Sequence, residues 1–407
     1  MVNIAVLGYG TVGSGVVEVV NTNGSRISQR IGDELNIKYV LDLKDFPGDP
    51  VQEKIVHDFE TIIEDEEIQI VVEVMGGIEP AYTFVKRSLQ AGKSVATSNK
   101  ALVAKHGAEL LSIAKEQNIN FLFEASVGGG IPIIRPLNSS LTADEIEEIT
   151  GILNGTTNYM LTRMFYEGAD YEDVLKEAQE KGYAERNPEA DVEGYDACRK
   201  IAILSSLISG QQVDFEDIYC EGITQITAED MKYAKGMGMT IKLLASSKRY
   251  AGNRLHAIVA PFLLKADHPL YHVDGVFNSI FVHGNVLGDA MFYGSGAGKL
   301  PTASAVVADV VDAAKHLNRN IMTMWKEEKL RLEEKAGAKR RFFVRIKGEE
   351  ESLLPAIHDS FGDVEVVRAE GLDGEFGFIT PVMMEGDYEV RARLYREQIL
   401  HMIRVEG

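Results

Sequence analysis

The chain of 407 residues is long enough for two or three domains, and its 45% apolar content can fill proper cores. A formal net charge of −20 with no basic run argues against nucleic acid and anionic membrane surfaces as partners. Cys198 and Cys220 alone make neither a disulfide framework nor a zinc site, no uninterrupted apolar run approaches the roughly 18 residues of a membrane span, and Met1 leads into an apolar segment without a basic leader, so a soluble, cytoplasmic protein is expected.

Val2 to Leu7 is a short apolar run, followed by Gly8-Tyr9-Gly10-Thr11-Val12-Gly13 and a helical segment to about Val20. Set between a strand and a helix, a GxGxxG turn offers backbone N–H groups and a helix dipole to the pyrophosphate of a dinucleotide, which makes Gly8, Gly10, Thr11, Val12 and Gly13 candidate cofactor contacts. Ile37 to Leu41 reads as the second strand. Asp42 follows where an acid would accept from the adenine-ribose hydroxyls of NAD, while Lys44 could serve the 2′-phosphate of NADP, so the preference stays open. Ile68 to Met75 has the near-continuous apolar character of a parallel strand covered on both faces, and Met75 and Gly76 fall at its carboxyl end, the cofactor side. Pro80 opens the next helix and Gly92 ends it. Ser94 to Thr97 is a further strand, and Ser98-Asn99-Lys100 precedes a helix to about Asn118. Lys100 therefore lies on the cofactor side, where a cation opposes the helix dipole and calls for a use.

Ile119 to Glu124 is another strand and runs into Ser126-Val127-Gly128-Gly129-Gly130-Ile131-Pro132. Three successive glycines let the chain pass close to the cofactor or, with Glu124, converge carbonyls on a hard monovalent cation. Ile149 to Leu153 is a strand, and Asn154-Gly155-Thr156-Thr157-Asn158 opens a helix with polar groups suited to a ligand. Tyr171 to Lys181 is helical and Gly182 ends it. Asp191 is the expected N-cap of a second helix, whose body from Ile201 to Ile208 is apolar on nearly every face and so should be buried. Asp196 and Lys200, one turn apart, share a face at the margin of that core. The alternative is an i,i+4 ion pair on a solvated helix end; the loop's additional acids, Glu185, Glu189 and Asp191, favour a site for a cationic small molecule with proton transfer.

From Leu255 to Val286 the pattern returns to strands, with His256 to Leu264 and Val276 to Val282 partly alternating. Gly294 to Gly298 could return the chain to the first domain and bring Gly296 to the cofactor, and a helix follows from about Thr302 to Leu317. Ala313 to Lys339 is charged and reads as a helical linker. After it, strand, helix, two strands, helix and a last short strand at Ile403 to Val405 give the split βαβ pattern, expected to fold independently.

The long motifs VLGYGTVG (Val6 to Gly13), TSNKALVA (Thr97 to Ala104), FEASVGGGIPII (Phe123 to Ile134), GILNGTTNY (Gly151 to Tyr159) and GYAERNPEADVEGYDACRK (Gly182 to Lys200) occur in one order in which the chain resembles homoserine dehydrogenases along nearly its whole length. The resemblance implies an α/β fold: a Rossmann-type dinucleotide-binding domain over residues 1–133, completed by about 300–325; an α+β catalytic and dimerisation domain with a mostly antiparallel sheet over 134–299; a linker over 326–340; and an ACT-like βαββαβ regulatory domain over 341–407. It implies NAD(P)-dependent interconversion of L-homoserine and L-aspartate 4-semialdehyde, in threonine and methionine biosynthesis. Carried over by position, Lys200 and Lys100 serve proton transfer at the substrate oxygen, Asp196 orients the substrate and Glu185 meets its ammonium group, with Asp191, Gly155 and Thr156 beside them. Glu124 with the carbonyls of Val127, Gly129 and Ile131 corresponds to a sodium site, the tail to an amino-acid sensor with an effector, and the assembly to a homodimer or homotetramer. One departure stands out: YVLDLK, ending at Lys44, lacks the arginine expected there in many NADP-using members. Two rivals are a phosphorylating semialdehyde dehydrogenase, for which neither cysteine is a convincing nucleophile, and a non-catalytic nucleotide sensor, against which both lysines and the acid cluster speak.

Overall fold

The computed structural model describes residues 1–250, 254–322 and 325–406, and these divide into two units. The first comprises residues 1–145, 199–215 and 292–330; the second, residues 146–198, 216–291 and 331–407. Residues 323 and 324 of the expected linker and 407 of the expected tail lie outside the described residues.

The first unit is built on strands β1 (Val2–Leu7), β2 (Leu35–Leu41), β3 (Ile55–Val56), β4 (Ile68–Glu73), β5 (Ser94–Thr97) and β6 (Phe121–Leu122), in the order β3-β2-β1-β4-β5-β6. Each neighbouring pair is parallel. That order is the doubly wound arrangement in which ligands bind beyond the carboxyl ends of the strands, where the order reverses. All six residues of β1 are buried, as the apolar run requires. Helices α1 (Thr11–Ile31), α2 (Glu60–Ile63), α3 (Ala81–Gln90) and α4 (Lys100–Glu116) follow their strands, and α1 ends at Gly32 in the left-handed conformation, φ 82°. The helix Lys299–Lys315 packs on α1, where a Cβ on Gly15 would sit 2.9 Å from the Lys299 carbonyl. The chain after it is not the expected helical linker. Trp325 is buried, its indole N–H donates to Gln212 Oε1 at 2.8 Å, and its ring fills the space a Cβ on Gly107 would need. Lys326–Lys329 then pairs in parallel with Gln211–Gln212. Charged residues have good helix propensity, but that is a weak prior which an anchored strand pairing overrides.

In the second unit, β7 (Ile146–Ile152) pairs antiparallel with Phe277–Gly284 on one side and Met239–Tyr250 on the other, and Met239–Tyr250 pairs antiparallel with Arg254–Lys265. This mostly antiparallel sheet carries α5 (Gly155–Glu167), α6 (Tyr171–Glu180) and α7 (Glu189–Val192). Arg254–Lys265 is buried at every position but its two ends, so the partial alternation expected there does not mark a solvated face. The tail has the βαββαβ order, with strands arranged Ile399–Val405, Lys339–Lys347, Glu375–Ile379, Glu365–Val367. Phe342, Phe361, Phe378 and Tyr388 form its core. Its expected independence is corrected: Phe262 and Leu263 pair with Arg404 and Val405, so the tail extends the second unit's own sheet. An uncovered edge strand would otherwise present unpaired N–H and C=O groups. Residues 134–145, 199–215 and 292–299 also leave the expected middle domain for the first unit, because Arg135 is held by Asp309 and Asp312, Gln212 by the Ala104 carbonyl and the Ser295 carbonyl by the Gly130 N–H. No helix among the described residues is long and apolar enough to cross a membrane.

Candidate active site

At the carboxyl end of β1, Gly8 has φ +98° and a Cβ on Gly13 would lie 1.9 Å from the Gly8 carbonyl, so the turn closes only with glycine there. Gly10 is the N-cap of α1 and brings no side chain to its first N–H groups, while Thr11, Val12 and Gly13 form the first turn. Asp42 follows β2; its carboxylate accepts from the N–H of Tyr9 at 2.8 Å and of Lys44 at 3.0 Å, which fixes an acid beside the glycine turn. His57 was not foreseen: its Nδ1 lies 2.7 Å from the Asp42 carbonyl, and that contact raises its pKa above the ordinary value. No local signal could have found it, since the pairing of β2 with β3 brings it there. The donor geometry fits a dinucleotide.

Beyond β4, Met75 lies against the same turn, where a Cβ on Gly8 would meet its Cγ at 3.1 Å, and Gly76 follows it. Lys100 opens α4 half-buried, and Asn99 caps the helix by accepting from the Leu102 N–H at 3.1 Å. Glu73, an acid at the end of the otherwise apolar strand β4, is fully buried beside these two loops.

Asp196 and Lys200 stand one turn apart on α8 (Tyr195–Ser209) and are 4% and 8% exposed, so the margin-of-core reading prevails over the solvated ion pair. The division into units falls within this helix, after Cys198. Asp191 is not the N-cap of α8. It lies in α7, and Gly194 makes the turn between the helices at φ +83°, where a Cβ would lie 3.0 Å from Cys220 Sγ. Asn154 brings Asp191 and Asp196 together: its amide donates to Asp191 Oδ1 at 2.7 Å and Asp196 Oδ2 at 3.0 Å, and its oxygen caps α5 by accepting from the Thr157 N–H at 2.9 Å. Gly155 has no room for a Cβ, which would lie 2.7 Å from the Val276 carbonyl, and the Thr156 hydroxyl donates to the Tyr183 carbonyl at 2.6 Å. Glu185 and Glu189 are exposed, and the Glu185 carboxylate makes no hydrogen bond or ion pair with a described residue. Cys198 is buried, and Cys220 Sγ donates to the Glu193 carbonyl at 3.1 Å, which is no setting for a nucleophile.

Glu124 is buried, and its carboxylate accepts from three successive N–H groups, those of Ile133, Ile134 and Arg135, at 2.6, 2.9 and 2.7 Å. Its own N–H donates to Asp309, whose acid is pushed up to about 8 by burial and by the neighbouring Glu124 charge. In the glycine run, the Gly130 N–H donates to the Ser295 carbonyl at 3.0 Å, and a Cβ on Gly129 would lie 2.2 Å from the Gly296 carbonyl. The late glycine turn thus returns to this segment. Among the described residues no group of three or more His, Cys, Asp or Glu side chains is arranged for a metal ion, so a cation here would depend on main-chain oxygens.

Residues 8–124 match the family model for the NAD binding domain of homoserine dehydrogenase, and residues 132–311 match the model for homoserine dehydrogenase itself. The homoserine dehydrogenase of Bacillus subtilis is 43% identical over 324 residues, 79% of this chain and 74% of that protein. The crystal structure of a homoserine dehydrogenase from Thiobacillus denitrificans superposes with a TM-score of 0.90 at 34% identity, covering 100% of this chain and 98% of the other. A hyperthermophilic archaeal homoserine dehydrogenase in complex with NADPH matches 77% of this chain and 97% of its own at 30% identity and a TM-score of 0.66. With the glycine turn, the doubly wound sheet and both family models in agreement, the chain belongs to the homoserine dehydrogenase family, NAD(P)-binding oxidoreductases that interconvert L-homoserine and L-aspartate 4-semialdehyde.

Proposed function

We propose that Lys200 and Lys100 carry the proton transfer of this reaction, that Asp196 orients the substrate with Asp191, Gly155 and Thr156 beside it, and that Glu185 meets the substrate ammonium. The observation that carries this reading is the burial of two charged residues one turn apart on one helix, Lys200 at 8% and Asp196 at 4% exposure. Charged groups are rarely buried so deeply without a partner or a task. When bound, NAD(P) would supply the hydride acceptor for the carbinol carbon. The protein's share is to take the hydroxyl proton, and a lysine amine can do so in its neutral form, which burial or a neighbouring cation favours. The Asn154 amide holds two carboxylates in fixed orientation, a setting suited to an ammonium-bearing substrate.

Gly8, Gly10, Thr11, Val12 and Gly13 would hold the pyrophosphate, Asp42 and Lys44 the adenine ribose, and Met75, Gly76, Lys100 and Gly296 the nicotinamide end. Glu124, Val127, Gly129 and Ile131 would supply main-chain oxygens to a sodium ion; the amide contacts that occupy the Glu124 carboxylate make it the anchor of that loop. The strand order of the tail supports an ACT-like reading with an amino-acid effector; a homodimer or homotetramer and a cytoplasmic location follow from resemblance. Lys200→Ala tests the core of the proposal: kcat should fall by about 10²–10⁴-fold with the NAD(P)H dissociation constant unchanged, and near-wild-type turnover would overturn it.

A further inference from the structure

We infer that Glu73 is a positioning residue that locks Lys100 to the Met75–Gly77 loop, an inference that rests on the proton-transfer role of Lys100. Glu73 ends β4 with no exposed surface, on a strand where an apolar residue would be the inexpensive choice. Its Oε1 accepts from the N–H groups of Met75 at 2.8 Å and Gly76 at 3.4 Å, and its Oε2 accepts from the Thr97 hydroxyl at 2.6 Å. The same hydroxyl accepts from the Asn99 N–H at 2.9 Å, and the Asn99 amide donates to the Gly77 carbonyl at 2.6 Å while capping α4. Lys100 is thereby bracketed: its predecessor is tied through Thr97 to Glu73, and the first turn of its helix is fixed by the same asparagine.

A carboxylate satisfies every donor in this arrangement. Three donors converge on two oxygens, and an ionised acid is acceptor-only, whereas glutamine would present its own N–H₂ to one of those donors. Burial raises the Glu73 pKa, and the contacts from Thr97, Met75, Gly76 and Asn99 oppose that rise. The main-chain ladder of the sheet needs none of these bonds, because each is made by a side chain at or beyond the last paired residues Glu73 and Thr97. What they align is the pair of loops that the proposed site uses.

The test measures kcat with homoserine, the NAD(P)H dissociation constant and thermal stability for Glu73→Gln, Thr97→Val and Thr97→Ser, each with Lys100 intact and in a Lys100→Ala background. With Lys100 present, Glu73→Gln should lower kcat by about 10²-fold, the penalty of a displacement of roughly 1 Å. Thr97→Val should follow in the same direction, and Thr97→Ser, which keeps the hydroxyl, should recover most of the loss. In the Lys100→Ala background, Glu73→Gln should change kcat by less than about twofold, since residues that act as a unit are not additive. An equal loss in both backgrounds, or full kcat in Glu73→Gln, overturns the inference and leaves the role of Lys100 standing. Full kcat in Lys100→Ala alone overturns both. If Glu73→Gln does not fold, the Thr97 pair decides by the same criterion.

Discussion

Two helices on the two units begin with the same device and use it for different ends. Asn99 caps α4 in the first unit and Asn154 caps α5 in the second, each 6% exposed and each accepting from the N–H three residues on. Aspartate or serine would cap as well. Asparagine differs in having a donating half left over, and the Asn99 amide directs it to a neutral acceptor, the Gly77 carbonyl, while the Asn154 amide directs it to the carboxylates of Asp191 and Asp196. The cap sets helix geometry in both; the second half of the amide joins the helix to a neighbouring segment, by a neutral bond to Gly77 in the first unit and by charge-assisted bonds to Asp191 and Asp196 in the second.

Changing the donor half while keeping the cap breaks the comparison most sharply at Asn154. Asn154→Asp retains the acceptor for the Thr157 N–H but turns a third carboxylate toward two others at hydrogen-bonding distance. Bonds to charged groups contribute about 1.5–3 kcal/mol each, so losing two corresponds to a fall of on the order of 10²–10⁴-fold in kcat/KM for homoserine. NAD(P)H affinity should be unaffected. Asn154→Ser, which removes the donors without adding charge, should lose less, and activity within threefold of wild type in the aspartate variant would show that the bridge is not part of the site.

A buried group without such an arrangement supplies the contrast. His256 in the second unit is 2% exposed, its Nε2 has no partner among the described residues, and burial, reinforced by Arg340, Lys248 and Arg404, lowers its pKa to about 4. The unfolded chain takes up this proton near pH 6.5 and the folded one does not until about 4. Stability from the neutral imidazole is therefore full above pH 6.5, is lost as pH falls through that window and levels off below it. The effect is about 3 kcal/mol at most. Thermal unfolding of wild type and His256→Gln between pH 7 and 4 checks it: the variant should be less stable at pH 7 and should converge on wild type at the acid end, and parallel curves would sink the claim.

The sequence discloses the nucleotide unit well because its signals are local. A buried parallel strand is an apolar run bounded by glycines, and β1, β4 and β5 read that way. The strand Met239–Tyr250 escapes the same reading, since Lys242 and Lys248 interrupt its apolar run. Lys242 has 1% side-chain exposure, with its ammonium on Asp274 at 2.8 Å and on the Val273 carbonyl at 2.6 Å, partners supplied from far along the chain. The acids of the candidate site were visible as a cluster around Lys200; that Asn154 would join Asp191 to Asp196 and that Glu185 would stay exposed depends on how α5 meets the segment before α8. The tail's alternation was legible, but its pairing with Arg254–Lys265 was not, because a strand's pattern does not name its neighbour.

Asn99→Asp sharpens the comparison from its gentler side. The substitution keeps the cap on α4 but loses the donor to the Gly77 carbonyl, a neutral bond whose net contribution is about 1 kcal/mol. It also brings a second carboxylate toward Glu73, whose ionised form the Asn99 side chain helps to stabilise. The expected result is a loss of about fivefold in kcat/KM, shared between kcat, because Asn99 also brackets Lys100, and the KM for NAD(P), with the KM for homoserine nearly unchanged; a loss confined to the KM for homoserine would mean that the two caps do not divide their work between the nucleotide and the substrate.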